Sequence, residues 1–209
     1  MQLFGTSGIR RLANEGLIQL ALKVGLAVGN VCGSAVVAGD TRTSSDAMKH
    51  AVISGLLAAG SRCYDAGVMP TPTLALVARR FDVGVMITAS HNPPQYNGIK
   101  LLNPDGSAFD SSQRKQIEEM VSGDSLSVAP WNEIKNGSTY EGAVEQHIER
   151  ILQDFPSPLR LKVVLDCGCG AGSVITPYLL RRLGCDVIGI NCYPSGFFSH
   201  DVEPTQANL

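Results

Sequence analysis

Short apolar segments alternate with helical patterns along the first half of the chain, and this alternation limits the possible folds more than any other feature. AVVAGD (35–40) is short and almost wholly apolar, which is typical of a buried strand. The next segment (43–60) begins with hydroxyl residues that can cap a helix and ends on a glycine. A strand, a helix and two further strands are then predicted at 62–68, 71–81, 82–89 and 97–103. Since such alternation is typical of parallel sheets covered by helices, the sequence predicts an α/β fold.

A second unit of the same kind follows a polar stretch. Residues 122–140 have no apolar period, so the first domain is predicted to span 1–138. A helix within 139–155 is predicted to link it to a second domain at 156–209, where a strand, a glycine-rich turn, a helix and a strand follow in order. Two strands are fewer than an independently stable sheet normally has, so this domain is expected to be incomplete. The predicted architecture is therefore two α/β domains with mixed, mostly parallel sheets flanked by helices.

Charge and hydropathy argue against two classes of partner. The chain has 17 Lys and Arg against 19 Asp and Glu, a net charge of -2, and no basic run, so a nucleic acid is not expected. The apolar segment 17–31 has the spacing of a core helix capped by Asn14, is short for a membrane span and contains Gln19 and Lys23. We expect a soluble, cytoplasmic protein whose six cysteines are reduced and packed.

The segment TASHNPPQYNGIK (88–100) is too polar for a core and too rich in proline for a helix, although it directly follows an apolar strand. Ligands bind at the carboxyl ends of strands in α/β sheets, and this segment lies at such an end. Its prolines stiffen the chain beyond Ser90 and His91, and Lys100 on the next strand can return towards them. A serine beside a cation suits phosphoryl transfer. The alternative is that these residues only make turn hydrogen bonds, with His91 packed against the strand.

The same segment resembles the active-site loop of the α-D-phosphohexomutases, the family of phosphoglucomutase, phosphomannomutase and phosphoglucosamine mutase. FGTSGIR (4–10) resembles the N-terminal signature of that family, and GDTRTSS (39–45) resembles its first turn from strand to helix. LDCGCGAGS (165–173) and FFSHDVEPTQANL (197–209) resemble parts of its second domain. The resemblance therefore covers nearly the whole chain.

The resemblance implies a mutase that interconverts hexose 1-phosphate and hexose 6-phosphate through a phosphoserine and a bisphosphorylated sugar. The implied catalytic residues are Ser90, Lys100, His91 and Arg10, and the implied phosphate- or substrate-binding residues are Thr6, Ser7 and Asn92. Ser90 would carry the phosphoryl group, and this phosphate would also be a ligand of Mg²⁺. An always-charged guanidinium such as that of Arg10 suits a dianionic phosphate.

The chain also departs from the family pattern. The metal loop of the family is an Asp-Gly-Asp-x-Asp-Arg run, and none occurs before Leu209. The remaining metal ligands are thus expected outside this chain, which we expect to be an N-terminal part that folds but does not turn over substrate alone. The loop at 88–100 is somewhat more similar to the glucose and mannose branch of the family than to the glucosamine branch.

Two other functions stay open. A non-catalytic module that binds sugar phosphates is the first alternative. A serine hydrolase is the second, although the G-x-S-x-G pattern of a nucleophile elbow does not surround Ser90. The turn GCGAGS (168–173) is better explained by tight packing than by a nucleotide phosphate, and the C-x-C pair beside it lacks a second pair for zinc.

Four residues elsewhere are given structural roles. Asp40 and Arg42 end a predicted strand and are expected to support the active loop rather than to contact substrate. Trp131 is predicted to anchor the packing between segments, and His147 is predicted to be solvated on a charged helix.

Overall fold

The computed structural model describes residues 3–5, 8–123, 125–203 and 205–206. In chain order the elements are β1 (Ile9–Leu12), α1 (Glu15–Val31), β2 (Ser34–Gly39), α2 (Ser45–Ala58), β3 (Arg62–Val68), α3 (Thr71–Ala78), β4 (Val83–Ile87), β5 (Tyr96–Leu102), α4 (Ser111–Ser122), β6 (Ser138–Thr139), α5 (Ala143–Leu152), β7 (Lys162–Asp166), a 3-10 turn (Ala171–Val174), α6 (Thr176–Arg182) and β8 (Asp186–Ile190). Strands and helices alternate through most of this order, as the sequence predicts.

Six strands form the first sheet, in the order β1, β5, β4, β2, β3, β6. The strands β4, β2, β3 and β6 are mutually parallel, whereas β5 is antiparallel to both β4 and β1. The strands β7 and β8 form a separate parallel pair. The prediction of an α/β fold with mixed, mostly parallel sheets is confirmed.

Helices cover both faces of the first sheet. Val37 and Val85 belong to a core shared with α1, α2 and α4, whereas Val36 and Met86 belong to a core shared with α3 and the start of α5. Alternate residues of a strand point to opposite faces, which explains why neighbours in sequence join different cores. The sheet face that α3 covers also carries polar side chains at the carboxyl end of β4.

The pair α1 and α2 packs with its backbones in close contact. The side chain of Asn14 caps α1 by accepting a hydrogen bond from the amide of Leu17 at 3.1 Å. A Cβ on Gly25 would lie 2.2 Å from the carbonyl oxygen of Val52, and one on Gly55 would lie 2.3 Å from that of Leu22. Only glycine permits this approach, which seats both helices on the sheet.

Three expectations for the region after α4 need correction. The stretch 122–140 is mostly irregular where it is described, but Ser138 and Thr139 add a short parallel strand to β3. Trp131 is 88% exposed, so the prediction that it anchors packing is wrong. His147 is only partly exposed, and one of its ring nitrogens lies 2.8 Å from the hydroxyl of Thr73, so it joins α5 to α3 instead of being solvated.

The domain limits at 138 and 156 stay predictions. Among the described residues, no helix combines the length and the apolar character needed to cross a membrane.

Candidate active site

The polar segment predicted to carry the chemistry is the connection between β4 and β5, at the carboxyl end of β4. Ser90 is exposed, and its backbone has a φ of 59°, in the left-handed region that few non-glycine residues adopt. Its hydroxyl oxygen lies 3.5 Å from Nδ1 of His91, at the outer limit of a hydrogen bond. Such backbone strain persists only where the surroundings hold it in place.

The guanidinium of Arg42 holds this loop in place through hydrogen bonds to its backbone. Arg42 is 3% exposed, and one terminal nitrogen donates to the carbonyl oxygens of Ser90 (2.9 Å) and Asn92 (2.7 Å). The other donates to those of Pro93 (2.7 Å) and Tyr96 (3.0 Å). Arg42 thus supports the active loop, as its place at the end of β2 predicts.

Asp40 connects Arg42 to the strand that leads into the loop. Its carboxylate accepts hydrogen bonds from Nε of Arg42 (3.1 Å) and from the hydroxyls of Ser45 and Thr88 (both 2.6 Å). The hydroxyl of Thr88 in turn accepts from the amide of Ser90 at 2.9 Å. A continuous chain of hydrogen bonds therefore joins Asp40 to the backbone of Ser90.

Burial lowers the pKa of Arg42 from its usual value, and the adjacent carboxylate of Asp40 opposes this shift. The guanidinium nevertheless stays charged under ordinary conditions. The buried ion pair is therefore kept together by its hydrogen bonds to the loop and to β2.

Strand register places two further cations on the same face of the sheet as this network. Arg10 of β1 lies opposite Gly98, and Lys100 of β5 lies opposite Met86. Residues directly opposite each other in antiparallel strands share a face, and so do residues two apart in one strand. Arg10 and Lys100 consequently lie on the face of Met86, and Nη1 of Arg10 donates to Oδ1 of Asn92 at 3.0 Å.

The pKa of Lys100 is lowered, first by burial and then by the positive charge of Arg10, while Asp40 opposes the shift. The amine is thus poised to lose its proton more readily than an ordinary lysine. His91 and Asn92 lie beside Ser90 on the loop, Arg10 is hydrogen-bonded to Asn92, and Lys100 lies on the same sheet face as Arg10. The predicted Thr6 and Ser7 lie outside the described residues.

Glycines allow β1 to lie close enough to bring Arg10 to the loop. A Cβ on Gly98 would lie 2.0 Å from the carbonyl oxygen of Ile9. Gly8 has a φ of 130°, and a Cβ there would lie 2.6 Å from the carbonyl oxygen of Ile99. The segment before Gly8 is held by Glu118 of α4, whose side chain accepts hydrogen bonds from the amides of residues 3 and 4.

A cavity of about 790 Å³ lies over this polar edge. Asp40, Thr88, Ser90 and His91 line one side. The other side of the cavity is lined by residues of the second unit, namely Asp166, Cys167, Gly168 and His200. A volume of this size accommodates a small-molecule ligand such as a hexose phosphate.

The Mg²⁺ implied by the resemblance is not matched by a complete set of ligands. Within the described ranges, no group of three or more His, Cys, Asp or Glu is placed to hold a metal ion. Mg²⁺ in phosphoryl-transfer sites combines phosphate oxygens with carboxylates. A phosphate on Ser90 would supply only the first kind of ligand, and magnesium binding by this chain stays a prediction.

The sequence does not predict the roles of two residues in the hydrogen-bond network around Asp40. The sequence places Thr88 and Ser45 in the loop and turn segments without a specific role. The structure makes both of them donors to Asp40, and Asn97 donates to the hydroxyls of Ser44 and Ser45 at 2.9 and 3.0 Å. The signal available was the cluster of short polar side chains in GDTRTSS directly after an apolar strand.

Comparison with protein families gives two matches, in chain order. The family model described as phosphoglucomutase/phosphomannomutase, alpha/beta/alpha domain I, matches residues 1–127, and the model for domain II matches residues 143–209. Together they cover most of the chain.

Curated relatives agree with this match. A probable phosphoglucosamine mutase of Methanococcoides burtonii is 50% identical over 211 residues, which cover 100% of this chain and 48% of that protein. A phosphoglucosamine mutase of Methanococcus maripaludis is 41% identical, over 100% of this chain and 46% of that protein. The chain thus spans about half the length of these relatives. Their names do not support the preference for the glucose and mannose branch that the loop sequence suggests.

Solved structures give the same fold. A phosphoglucomutase/phosphomannomutase family protein of Burkholderia thailandensis matches with a TM-score of 0.82 and 29% identity, over 96% of this chain and 46% of that one. An N-acetylphosphoglucosamine mutase of Aspergillus fumigatus, solved in complex with GlcNAc-6P and magnesium, matches with a TM-score of 0.53. At 15% identity over 94% of this chain and 43% of that one, the second match shows the fold alone.

Proposed function

Because the chain belongs to the phosphoglucomutase/phosphomannomutase family, we propose that it carries the phosphoserine of a mutase that interconverts hexose 1-phosphate and hexose 6-phosphate. Ser90 donates its phosphoryl group to a sugar hydroxyl, and the resulting bisphosphate returns its other phosphoryl group to Ser90. The proposed sugar is glucosamine, since relatives 41 and 50% identical are named phosphoglucosamine mutases.

One observation carries the proposal: Ser90 is an exposed serine in the wall of a cavity, on a loop that a buried arginine holds in place. Phosphoryl transfer depends mainly on positioning and on neutralising the charge of the phosphate. Arg42 and Asp40 supply the positioning by fixing the backbone. Arg10 supplies the positive charge, and Lys100, on the same face of the sheet, is placed to accept a proton.

The transfer step conserves atoms and protons. The bond between the Ser90 oxygen and phosphorus breaks as a sugar hydroxyl forms a new bond to phosphorus. The Ser90 oxygen leaves with the bonding electron pair and takes up one proton from a neighbouring group to become a hydroxyl. The proton of that hydroxyl passes to a nearby base, and the lowered pKa of Lys100 makes its amine a suitable acceptor when neutral. His91, with Nδ1 3.5 Å from the serine oxygen, is the second candidate.

The loop geometry argues against a serine hydrolase. A nucleophile elbow places its serine on a turn from a strand into a helix. Ser90 instead lies between the two strands β4 and β5. A mutase loop is therefore the better explanation for the exposed serine.

The proposal is tested by phosphate transfer to the protein. We expect incubation with glucosamine 1,6-bisphosphate to add one phosphate, detected by intact-mass measurement and placed on Ser90 by tryptic mapping. Ser90→Ala removes the acceptor and should abolish the labelling, whereas Ser125→Ala, at an exposed serine in the irregular stretch after α4, should leave it unchanged. An unmodified wild-type Ser90 would favour a non-catalytic module that binds sugar phosphates.

The choice of sugar has its own readout. We expect glucosamine 1,6-bisphosphate to label Ser90 faster than mannose 1,6-bisphosphate at equal concentration. Equal or reversed rates would reject glucosamine as the preferred sugar while leaving the phosphoserine proposal intact.

A further inference from the structure

Two cysteines of the second unit have their sulfur atoms in contact. Cys167 directly follows β7, and Cys192 lies two residues beyond the end of β8. Their Sγ atoms are 3.3 Å apart, and both residues are partly buried, free thiols. A disulfide requires a separation of about 2.05 Å, so the two sulfurs need to approach by little more than ~1 Å.

The backbone around this pair is held by the parallel ladder between the two strands. Asp166 lies opposite Ile190, and the amide of Cys167 donates to the carbonyl oxygen of Ile190 at 3.1 Å. The side chain of Cys192 folds back over Gly189, where a Cβ would lie only 3.0 Å from its sulfur. The glycine thus leaves the space that lets Cys192 reach Cys167.

The other four cysteines are placed differently. Cys63, Cys169 and Cys185 are buried, and Cys32 is partly buried at the end of α1. Among the described residues, the one hydrogen bond between two cysteine sulfurs is that of Cys192 to Cys167, although Cys169 is close enough to Cys167 to affect its pKa. The contact is therefore a local property of the ends of β7 and β8.

Small molecules can reach Cys167 through the cavity. Cys167 lines the same cavity as Ser90, on the opposite side. We propose that Cys167 and Cys192 form a reversible disulfide by exchange with a small-molecule disulfide such as oxidised glutathione. The site does not depend on phosphorylation of Ser90, and so it stands apart from the function proposed above.

The exchange proceeds in two balanced steps. The thiolate of one cysteine attacks a sulfur of oxidised glutathione, forms a mixed disulfide and releases one glutathione thiolate. The second cysteine, as its thiolate, then attacks the protein sulfur of the mixed disulfide and releases the second glutathione. The protein loses two electrons and two protons, and oxidised glutathione becomes two molecules of glutathione.

The environment of the two cysteines sets the rate at which their disulfide forms. Burial, followed by the neighbouring Cys192, raises the pKa of Cys167 to about 12. Because only the thiolate attacks a disulfide, we expect oxidation to be slow near neutral pH and faster as the pH rises. The crosslink is therefore expected to form only when an oxidant persists.

The crosslink would act on the wall of the cavity. Asp166, which lines the cavity beside Cys167, accepts from the side chain of Asn191 at 3.1 Å. A bond between Cys167 and Cys192 would fix the ends of both strands where this contact occurs. Oxidation would thus stiffen the side of the cavity that faces Ser90.

Tryptic mapping provides a direct test. Arg181 and Arg182 lie between the two cysteines, so trypsin releases Cys167 and Cys192 on separate peptides. We expect the protein treated with oxidised glutathione, then alkylated, to yield these two peptides as one linked species, with two fewer free thiols than the six of the reduced chain. Reduction with dithiothreitol should restore both peptides.

Single variants distinguish this pair from its neighbours on the same peptides. Cys167→Ser and Cys192→Ser should each abolish the linked species, whereas Cys169→Ser and Cys185→Ser should retain it. Fragmentation of the linked wild-type peptides identifies the joined cysteines without any variant. A wild-type protein that shows only glutathione adducts or unmodified thiols, or a link through Cys169 or Cys185, would overturn the proposal.

Discussion

Arg42 supplies donors that the loop after β4 cannot supply itself. Pro93 and Pro94 have no amide hydrogen, so this segment has fewer donors than acceptors. Backbone carbonyl oxygens need partners, and one guanidinium provides them for Ser90, Asn92, Pro93 and Tyr96. The strained backbone of Ser90 is thus maintained by a residue distant in sequence.

Replacing Arg42 tests this role. Arg42→Lys keeps the charge but cannot donate to four carbonyl oxygens at once, and we expect it to lower the free energy of unfolding by about 2–4 kcal/mol. Labelling of Ser90 should slow because its backbone is no longer fixed. Chemical denaturation and the rate of phosphate incorporation measure the two effects.

The matched control is Arg80→Lys, at an exposed arginine after α3. It should change neither quantity. If Arg42→Lys labels as fast as the wild type, the loop is held by other contacts.

Thr88 is predicted to be a positioning residue. Thr88→Val removes the hydroxyl that joins Asp40 to the amide of Ser90, and we expect the labelling rate to fall roughly tenfold to a hundredfold. Thr88→Ser keeps the hydroxyl and should restore most of the rate. A purely structural role would lower the stability of both variants without this difference in rate.

At this scale the sequence predicts residue types better than partners. Ser90 and the supporting role of Arg42 follow from motifs that come directly after strands, and Lys100 follows from its place on the next strand. The link from Asp40 through Thr88 depends on side-chain rotamers across two strands, which no local pattern encodes. The exposure of Trp131 and the contact of His147 with Thr73 likewise depend on tertiary structure, so the sequence predicted neither.

At the scale of elements, the close approach of β1 to β5 depends on Gly98. Gly98→Ala forces a Cβ to within 2.0 Å of the carbonyl oxygen of Ile9, and we expect the free energy of unfolding to fall by about 3 kcal/mol or more. Gly137→Ala, whose Cβ would meet only a side-chain carbon of Leu57 at 3.6 Å, should have little effect. Urea denaturation of both variants measures the difference, and equal stabilities would mean that β1 can shift at little cost.

The contact between α5 and α3 is predicted to weaken in acid. Burial lowers the pKa of His147 from its ordinary 6.5, so the folded protein binds a proton less readily there than the unfolded chain. The stabilising contribution is therefore full above pH 6.5 and is lost as the pH falls towards the lowered value. His147→Gln keeps a hydrogen-bonding side chain opposite Thr73 without the titration.

We expect the unfolding free energy of the wild type to fall more steeply than that of His147→Gln between about pH 7 and pH 5. Denaturation curves across this range compare the two slopes. Parallel curves would show that protonation of His147 does not oppose folding.

The elements that the sequence predicted are those with an apolar period. The helix capped by Asn14 and the strands β2 and β4 are examples, because burial on one or both faces leaves a pattern in the sequence. The strand β1 has two consecutive arginines, and β6 is only two residues long, so neither has such a pattern. Both are strands because a neighbouring edge accepts their backbone.

At the scale of the whole molecule, α5 contacts both units. It packs against α3 through His147, and its Glu145 and Glu149 form ion pairs with Arg182 of α6. These ion pairs are exposed, so salt screens them. The helix predicted as a linker is thus a shared support for the two sheets.

Arg182→Ala is predicted to loosen the second unit in a salt-dependent way. Amide hydrogens of β7 and β8 should exchange faster than in the wild type at low ionic strength, and the difference should shrink at about 1 M salt. Arg181→Ala, at the exposed neighbouring arginine, is the matched control and should exchange like the wild type. A difference that persists at high salt would point to lost packing instead of lost charge.

The hold of Arg42 on the loop has a consequence for the proposed cycle as a whole. The guanidinium donates to carbonyl oxygens of the backbone, including that of Ser90, and its hydrogen bonds to the loop do not use the Ser90 hydroxyl. These contacts do not involve that hydroxyl, so we expect them to persist when it bears a phosphate. The backbone of the loop would then stay the same when the phosphoryl group is gained or lost. Only the charge near Arg10 and Lys100 would change.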